Sequence, residues 1–142
     1  MAQEYDGNCY CGSVRWKIVL KDTSEARTSL CHCGNCKKFF STDYGVTTKV
    51  PWSAYSLQPG ADEPTTHVSD NNGSKLTRQF CGKCGSGIRE WGEAAEGNFT
   101  YVCYGGLDDK GRKALPPKAE FFVSQREPWC QEILGNDVFR KD

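Results

Sequence analysis

Seven of the nine cysteines fall into three tight groups, Cys9-Tyr-Cys11, Cys31-His-Cys33-Gly-Asn-Cys36 and Cys81-Gly-Lys-Cys84, and no other feature limits the possible folds so strongly. Zinc bound through Zn–S bonds of about 2.3 Å draws its thiolates to within about 4 Å of one another, so cysteines this close along a chain suit a soft metal ion. A disulfide framework fits less well. The cysteine count of nine is odd, and the start Met1-Ala-Gln-Glu-Tyr-Asp-Gly7 has neither the basic nor the apolar region of a secretory leader. A lone CxxC would also suit a redox pair, but three such groups together favour metal. Free thiolates need a reducing compartment, which makes the cytoplasm the expected location with the nucleus also open.

Zinc in proteins is four-coordinate, so seven ligands fill one closed site of four and leave a second of three with one position open. Cys9, Cys11, Cys81 and Cys84 pair naturally into the closed site, whose role is structural. Cys31, Cys33 and Cys36 then form the open site, the candidate for catalysis. Residues two apart in a strand point the same way, so Cys9 and Cys11 present both sulfurs to one side, as do Cys31 and Cys33, with His32 turned away. The CxxC spacings read as tight turns in which Gly34 and Gly82 let the backbone bend around the ion. Two alternatives stay open: all seven cysteines in one cluster, or a fourth protein ligand to the triplet from Cys103, His67 or His32.

A length of 142 residues suits one domain, 1–142, too short for two comfortable ones. Eighteen basic residues balance eighteen acidic ones, which provides no global field for nucleic acid, and no apolar run approaches a membrane span. Fifteen glycines and one methionine fit a mainly β chain rich in turns. Ser13 to Leu20 alternates, with Val14, Trp16, Ile18 and Leu20 on one face, and reads as a half-buried strand. Further strands are expected at Ala26 to Leu30, Tyr44 to Val50, Asn98 to Tyr104 and Ala119 to Val123. Asn72-Gly73 signals a hairpin between Thr65 to Val68 and Lys75 to Phe80, closed by the third cysteine group. The segment Gly105 to Pro117 reads as a loop, and Trp129 to Leu134 as a short helical turn.

The charge of the open site selects its chemistry. Three thiolates leave a zinc complex of formal charge minus one, a weaker Lewis acid than a three-histidine site, so water activation is disfavoured. A small-molecule thiol with a free pKa near about 8.5 can instead be captured as a thiolate at neutral pH and still attack carbon. The H-x-E and P-C-x-x-C pattern of zinc deaminases is missing.

The ordered set Gly7-Asn-Cys9-Tyr-Cys11-Gly-Ser-Val14, Cys31-His-Cys33-Gly-Asn-Cys36 and Arg78-Gln-Phe-Cys81-Gly-Lys-Cys84-Gly-Ser86 resembles the glutathione-dependent formaldehyde-activating enzyme family, which includes the centromere protein V group. Gly105-Gly-Leu-Asp-Asp109, Leu115-Pro-Pro117 and Arg126-Glu-Pro-Trp129 extend the likeness over about residues 7–130. The resemblance implies a tent-like fold of antiparallel sheets with zinc knuckles. It also implies two zinc ions, with Cys9, Cys11, Cys81 and Cys84 matching the structural site and Cys31, Cys33 and Cys36 the catalytic one. Glutathione is the implied cosubstrate, condensing with formaldehyde to S-hydroxymethylglutathione. Where members often carry Arg-Lys followed by small residues, this chain has Lys37-Lys-Phe-Phe-Ser-Thr-Asp43, and the Phe39-Phe40 pair suits larger electrophiles.

The expected function is therefore a zinc-dependent carbon–sulfur lyase that makes or breaks a thiol adduct of an aldehyde or other small electrophile. Its partners are small molecules, with neither nucleic acid nor membrane, and its oligomeric state is open. Lys37 and Lys38 are candidates for binding the carboxylate of the thiol cosubstrate. Asp108, Asp109 and Glu120 are candidate acids or bases, and Trp52 and Tyr55 candidate pocket walls. The alternative function is a non-catalytic zinc scaffold that binds protein or nucleic acid.

Overall fold

Val14, Trp16, Ile18 and Leu20 are all at most 1% exposed, as their alternation requires, and they anchor the core. The computed structural model describes residues 2–71 and 73–142. Its amino-terminal strands are β1 (Gln3–Asn8), β2 (Arg15–Leu20) and β3 (Arg27–Cys31), followed by helix α1 (Gly34–Phe40). Strands β4 (Gly45–Pro51), β5 (Tyr55–Leu57), β6 (Thr65–Asn71), β7 (Ser74–Phe80), β8 (Gly87–Gly92) and β9 (Phe99–Cys103) come next. Helix α2 (Asp109–Ala114) then leads to β10 (Pro117–Phe121) and β11 (Phe139–Lys141). Among the described residues, no helix is long and apolar enough to cross a membrane.

The chain is mainly β, in two sheets. A small sheet has the order β1-β2-β5, and an eight-stranded sheet runs β11-β10-β3-β4-β9-β8-β7-β6. Pairing is antiparallel except at β10, which lies parallel to both β3 and β11, so the large sheet is mixed where antiparallel sheets were expected. Tyr5, Trp16, Ile18 and Leu20 from the small sheet share one apolar cluster with Val50, Ile88 and Val102 from the large sheet and with Leu107 and Leu115. The Trp16 ring lies over β1, where a Cβ on Gly7 would stand 2.2 Å from it.

The register shows what the second face of the large sheet carries. Cross-strand partners share a face, and Arg78 pairs with Glu90, Glu90 with Tyr101, Thr47 with Cys103, and Gly45 with Cys31. The alternate positions Leu30, Thr48, Val50 and Val102 face the apolar core. Helix α1 covers the Arg78/Glu90 face, with the Phe39 ring 4.6 Å from the Arg78 guanidinium.

Both helices differ from the sequence expectation. Cys33 caps α1, its sulfur accepting from the Cys36 N–H at 3.4 Å, and a left-handed Ser41 ends the helix. The Cys33–Cys36 step is thus a helix start, and the bending attributed to Gly34 is not used. Asp108 caps α2 by accepting from the Gly111 N–H at 3.1 Å, which turns part of the expected Gly105–Pro117 loop into helix. Residues 129–134 are not helical; the turn of helix in this region is Val123–Gln125. The β6–β7 hairpin forms as expected, although Asn72 of its turn lies outside the described residues. Cys81 to Cys84 connects β7 to β8 and does not close the β6–β7 hairpin.

A buried carboxylate ties the carboxy-terminal segment to the rest. Glu120 is 1% exposed and lies 2.5 Å from His32 Nε2, 2.8 Å from Arg126 Nη2 and 2.9 Å from Arg140 Nε. Burial pushes its carboxyl up, but the bonds from Arg126, His32 and Arg140 outweigh this and bring it down to about 2. A depressed carboxylate pKa stabilises the fold fully above the ordinary value of 4.5, and the contribution is lost as pH falls toward 2. Glu120→Ala leaves the buried His32 Nε2 without its partner and takes one carboxylate contact from Arg126 and Arg140, and should cost about 3 kcal/mol in urea unfolding at neutral pH. A loss under about 1 kcal/mol would mean that solvent already satisfies the cluster.

Candidate metal centres

The closed cage forms where the ends of β1 and β7 meet. The sulfurs of Cys9, Cys11, Cys81 and Cys84 all lie within 4.8 Å of one another, with Cys9 and Cys11 3.6 Å apart and Cys11 and Cys81 3.7 Å apart. A tetrahedron of Zn–S bonds of about 2.3 Å has edges of about 3.8 Å, so this donor set fits zinc. Cys9 and Cys11 lie in a turn, where a strand was expected: Gly12 N–H donates to the Cys9 carbonyl at 3.0 Å, and Tyr10 at the tip is 93% exposed. The second knuckle repeats this, with Gly85 N–H donating to the Cys81 carbonyl at 2.8 Å. Gly12 and Gly85 both have φ +80°, which lets each chain reverse around the sulfurs without a Cβ clash.

Main-chain donors face these sulfurs, as a thiolate cage requires. Val14 N–H donates to Cys9 Sγ at 3.3 Å, and the Lys83 and Cys84 N–H groups to Cys81 Sγ at 3.4 Å each. Ser86 joins the knuckles, since its Oγ accepts from Tyr10 N–H at 3.0 Å and lies 3.2 Å from Cys84 Sγ. Hydrogen bonds from Ser86 bring the Cys84 thiol down to about 5, and the Ser13 hydroxyl lowers Cys81. Deprotonation of this kind precedes metal binding.

The triplet is built from the end of β3 and the start of α1. Its three sulfurs lie within 4.8 Å of one another, and among the described residues no fourth cysteine, histidine or carboxylate joins them. The Cys31–Cys36 hydrogen bond brings the Cys31 thiol down to about 6 and pushes Cys36 up. His32 turns away from the sulfurs, as strand geometry requires, and pairs with Glu120. Cys103 is buried on the sheet beneath, and His67 is on the edge strand β6; neither belongs to the triplet group. Gly45 sits against the triplet because a Cβ there would meet the Phe40 ring at 2.5 Å and Cys36 Cβ at 3.2 Å.

Two cavities flank α1. One of about 500 Å³ is lined by Phe39, Phe40, Phe80 and the Gly85–Gly87 turn. The other, of about 580 Å³, runs between the cage and Gly45, with Asn8, Cys9, Tyr44, Cys103 and Arg112 among its walls. Phe39 and Phe40 stack edge to face at 5.1 Å, and Phe40 lines both cavities. Lys37 Nζ bonds Glu127 and the Gln125 carbonyl, each at 2.6 Å, while Lys38 is exposed.

Of the remaining candidate residues, Asp108 lines the larger cavity, and Trp52, Tyr55, Asp109 and Glu120 line neither. Trp52 and Tyr55, with Trp91, surround the Arg89 guanidinium at 4.2 to 4.8 Å, so they pack around a cation and wall neither cavity. Asp108 caps α2, Asp109 pairs with Arg112, and Glu120 holds the back of His32. Sequence reasoning missed the largely buried ion pair of Arg78 and Glu90 on the sheet face beneath α1. Strand alternation gives them a polar face, and only the unforeseen α1 buries that face. Burial pushes the Glu90 carboxyl up, Arg78 opposes this, and the Cys31 charge adds to the rise.

The family model described as glutathione-dependent formaldehyde-activating enzyme matches residues 4–125. A curated relative, an uncharacterized lyase of Schizosaccharomyces pombe, is 30% identical over 88 residues, covering 58% of this chain and 54% of that protein. The chain thus spans about half the length of that relative. A crystal structure of a Rhodobacter sphaeroides protein is similar in fold, with a TM-score of 0.54 and 21% identity over 73% of this chain and 88% of that one.

The two clusters should respond differently to mutation. Cys81→Ser removes a ligand from the cage that links two sheets, and structural zinc can carry on the order of 10 kcal/mol of folding energy, so the product should be unfolded or insoluble. Cys33→Ser should stay folded and lose one of two zinc ions. Circular dichroism and elemental analysis giving the reverse pattern would exchange the two roles.

Proposed function

The chain belongs to the glutathione-dependent formaldehyde-activating enzyme family, and from that premise we propose that it is a zinc-dependent carbon–sulfur lyase that makes or breaks a glutathione adduct of a small electrophile. The observation that carries this reading is the difference between the clusters: four sulfurs close one cage, while three stand together without a fourth protein ligand among the described residues. The triplet also adjoins α1, whose Phe39 and Phe40 wall a cavity, which a purely structural knuckle would not need.

Cys31, Cys33 and Cys36 would hold the reactive zinc and Cys9, Cys11, Cys81 and Cys84 the structural one. Zinc in the triplet supplies a position at which a thiol sulfur is kept as its thiolate at neutral pH. The chain's own residues do the rest. Cys36 N–H steadies Cys33, and the His32–Glu120 pair holds the Cys31–Cys33 backbone from behind. The Phe39/Phe40/Phe80 cavity excludes water from the apolar part of the electrophile. The cleft of about 580 Å³, within the usual range for small-molecule sites, accommodates the peptide of the thiol. Lys37 is held by Glu127, so Lys38 is the freer of the two cations to meet a glutathione carboxylate.

Cobalt substituted into the triplet should change its absorption spectrum as glutathione is added, and Cys36→Ser should abolish the change. S-hydroxymethylglutathione should turn over faster with wild type than with Cys36→Ser after the spontaneous rate is subtracted. An unchanged cobalt spectrum across a broad titration, with equal corrected rates, would leave the non-catalytic scaffold as the better reading.

A further inference from the structure

The cavity of about 500 Å³ beside α1 is walled by Phe39, Phe40 and Phe80, and no charged side chain lines it. The plain explanation would make these rings part of the hydrophobic core. They are not. Among the described residues, the apolar cluster that joins the two sheets contains no phenylalanine, and all three rings stay partly exposed. Apolar surface left open to solvent stabilises nothing until something covers it, so walls of this kind suit an apolar occupant. The hydroxyls on the walls change this little, since Ser86 Oγ already accepts from Tyr10 N–H at 3.0 Å and lies 3.2 Å from Cys84 Sγ, which leaves Ser41.

The arrangement of the rings selects a flat partner. Phe39 and Phe40 meet edge to face, with centroids 5.1 Å apart and planes at 84°. Two rings at a right angle form a corner in which a third can lie offset-parallel to one and edge-on to the other, the two arrangements that aromatic pairs prefer. An alkyl chain covers similar area there, but it gains no ring–ring attraction and loses rotamer freedom. The Arg78 guanidinium, 4.6 Å from the Phe39 ring, holds that side of the corner in place. Gly87 keeps its wall free of a side chain, because a Cβ there would stand 3.1 Å from Cys103 Sγ and 3.5 Å from Phe39. Phe39 and Phe40 follow Cys36 by three and four residues and so share its face of α1. Phe40 also lines the cleft of about 580 Å³, whose walls include Asp108 and Arg112. A ligand lying across Phe40 therefore has a polar half in one space, an apolar half in the other, and its middle about one helical turn from the triplet.

We propose that the conjugates handled at the triplet carry an aromatic ring on the carbon side of the sulfur, and that Phe39, Phe40 and Phe80 form the subsite for that ring. This rests on the reading of the triplet as the place where the carbon–sulfur bond is made or broken and of the larger cleft as the seat of the thiol's peptide. It adds the class of group to which the sulfur is joined. A one-carbon group would leave the three phenylalanines uncovered, whereas a phenyl group buries its own surface and theirs together. Phe39, Phe40 and Phe80 are specificity residues in this arrangement. They touch the ring of the substrate and take no part in the bond change.

The test compares three stable thioethers, S-methylglutathione, S-hexylglutathione and S-benzylglutathione. Calorimetry on the zinc-loaded protein should show the benzyl compound binding about 30-fold tighter than the methyl compound, the discrimination expected of one buried phenyl group. It should also bind about fivefold tighter than the hexyl compound, whose apolar area is comparable, because only the benzyl ring gains from the aromatic corner. Phe39→Leu removes the corner and should bring the benzyl compound down to the level of the hexyl compound, with the methyl compound unchanged. Phe80→Ser should weaken the benzyl and hexyl compounds about fivefold each and again leave the methyl compound alone. Equal binding of the methyl and benzyl compounds by wild type, or of the hexyl and benzyl compounds, overturns the proposal, and these comparisons hold even if a variant fails to fold. A benzyl preference that survives in a folded Phe39→Leu variant overturns it too. Equal binding of the methyl and benzyl compounds while glutathione still perturbs the cobalt spectrum overturns the aromatic subsite alone. Binding of none of the three, together with an unperturbed cobalt spectrum, overturns the lyase reading as well.

Discussion

The meeting of Cys9 and Cys11 with Cys81 and Cys84 is the contact on which the rest depends. Cys11 and Cys81 are 70 positions apart in the chain, and the groups that join them are one turn from each of the two sheets. A metal in this cage would restrain the unfolded chain much as a long-loop disulfide does. The apolar cluster is drawn from short strands of both sheets, and the cage stands where the end of β1 meets the end of β7 and brings those strands together.

The triplet has separate supports. Cys31 ends β3, Cys33 and Cys36 begin α1, and the buried His32–Glu120 pair ties the backbone between them to Arg126 and Arg140 in the carboxy-terminal segment. Gln125 and Glu127 hold Lys37 on the outer side of α1. The triplet thiols are thus positioned by ion pairs and by a strand end, and owe nothing to the four-cysteine cage. Phe40 of α1 lines both cavities, and the larger of them also reaches Cys9 of the cage.

What could be read in the sequence was local. The period-two alternation of Val14 to Leu20 and the cysteine spacings depend on neighbours in the chain, and both the core strand and the two sulfur groups follow from them. Helix α1 escaped because seven residues beginning with Gly34 and Asn35 hold too few turns to display a helical period, and its cap is a cysteine that metal spacing already explained. Asp108 before Asp109-Lys-Gly-Arg was a legible cap signal for α2, obscured by the surrounding glycines. Arg78, Glu90 and Glu120 escaped for a different reason. Each has the address of a solvated strand residue and is buried by an element far away in sequence, such as His32 on Glu120 at a separation of 88 positions.

Those three charged residues also divide the molecule by purpose. The core face of the large sheet carries Val50, Ile88 and Val102, which stabilise it, whereas the opposite face buries Arg78, Glu90 and Cys103 beneath α1 at a desolvation cost. A stable fold alone would gain by replacing such a pair with apolar residues of similar volume. The four-cysteine cage at the other end of the sheet is placed where metal binding would offset this cost, because its ligands come from a turn beside each of the two sheets.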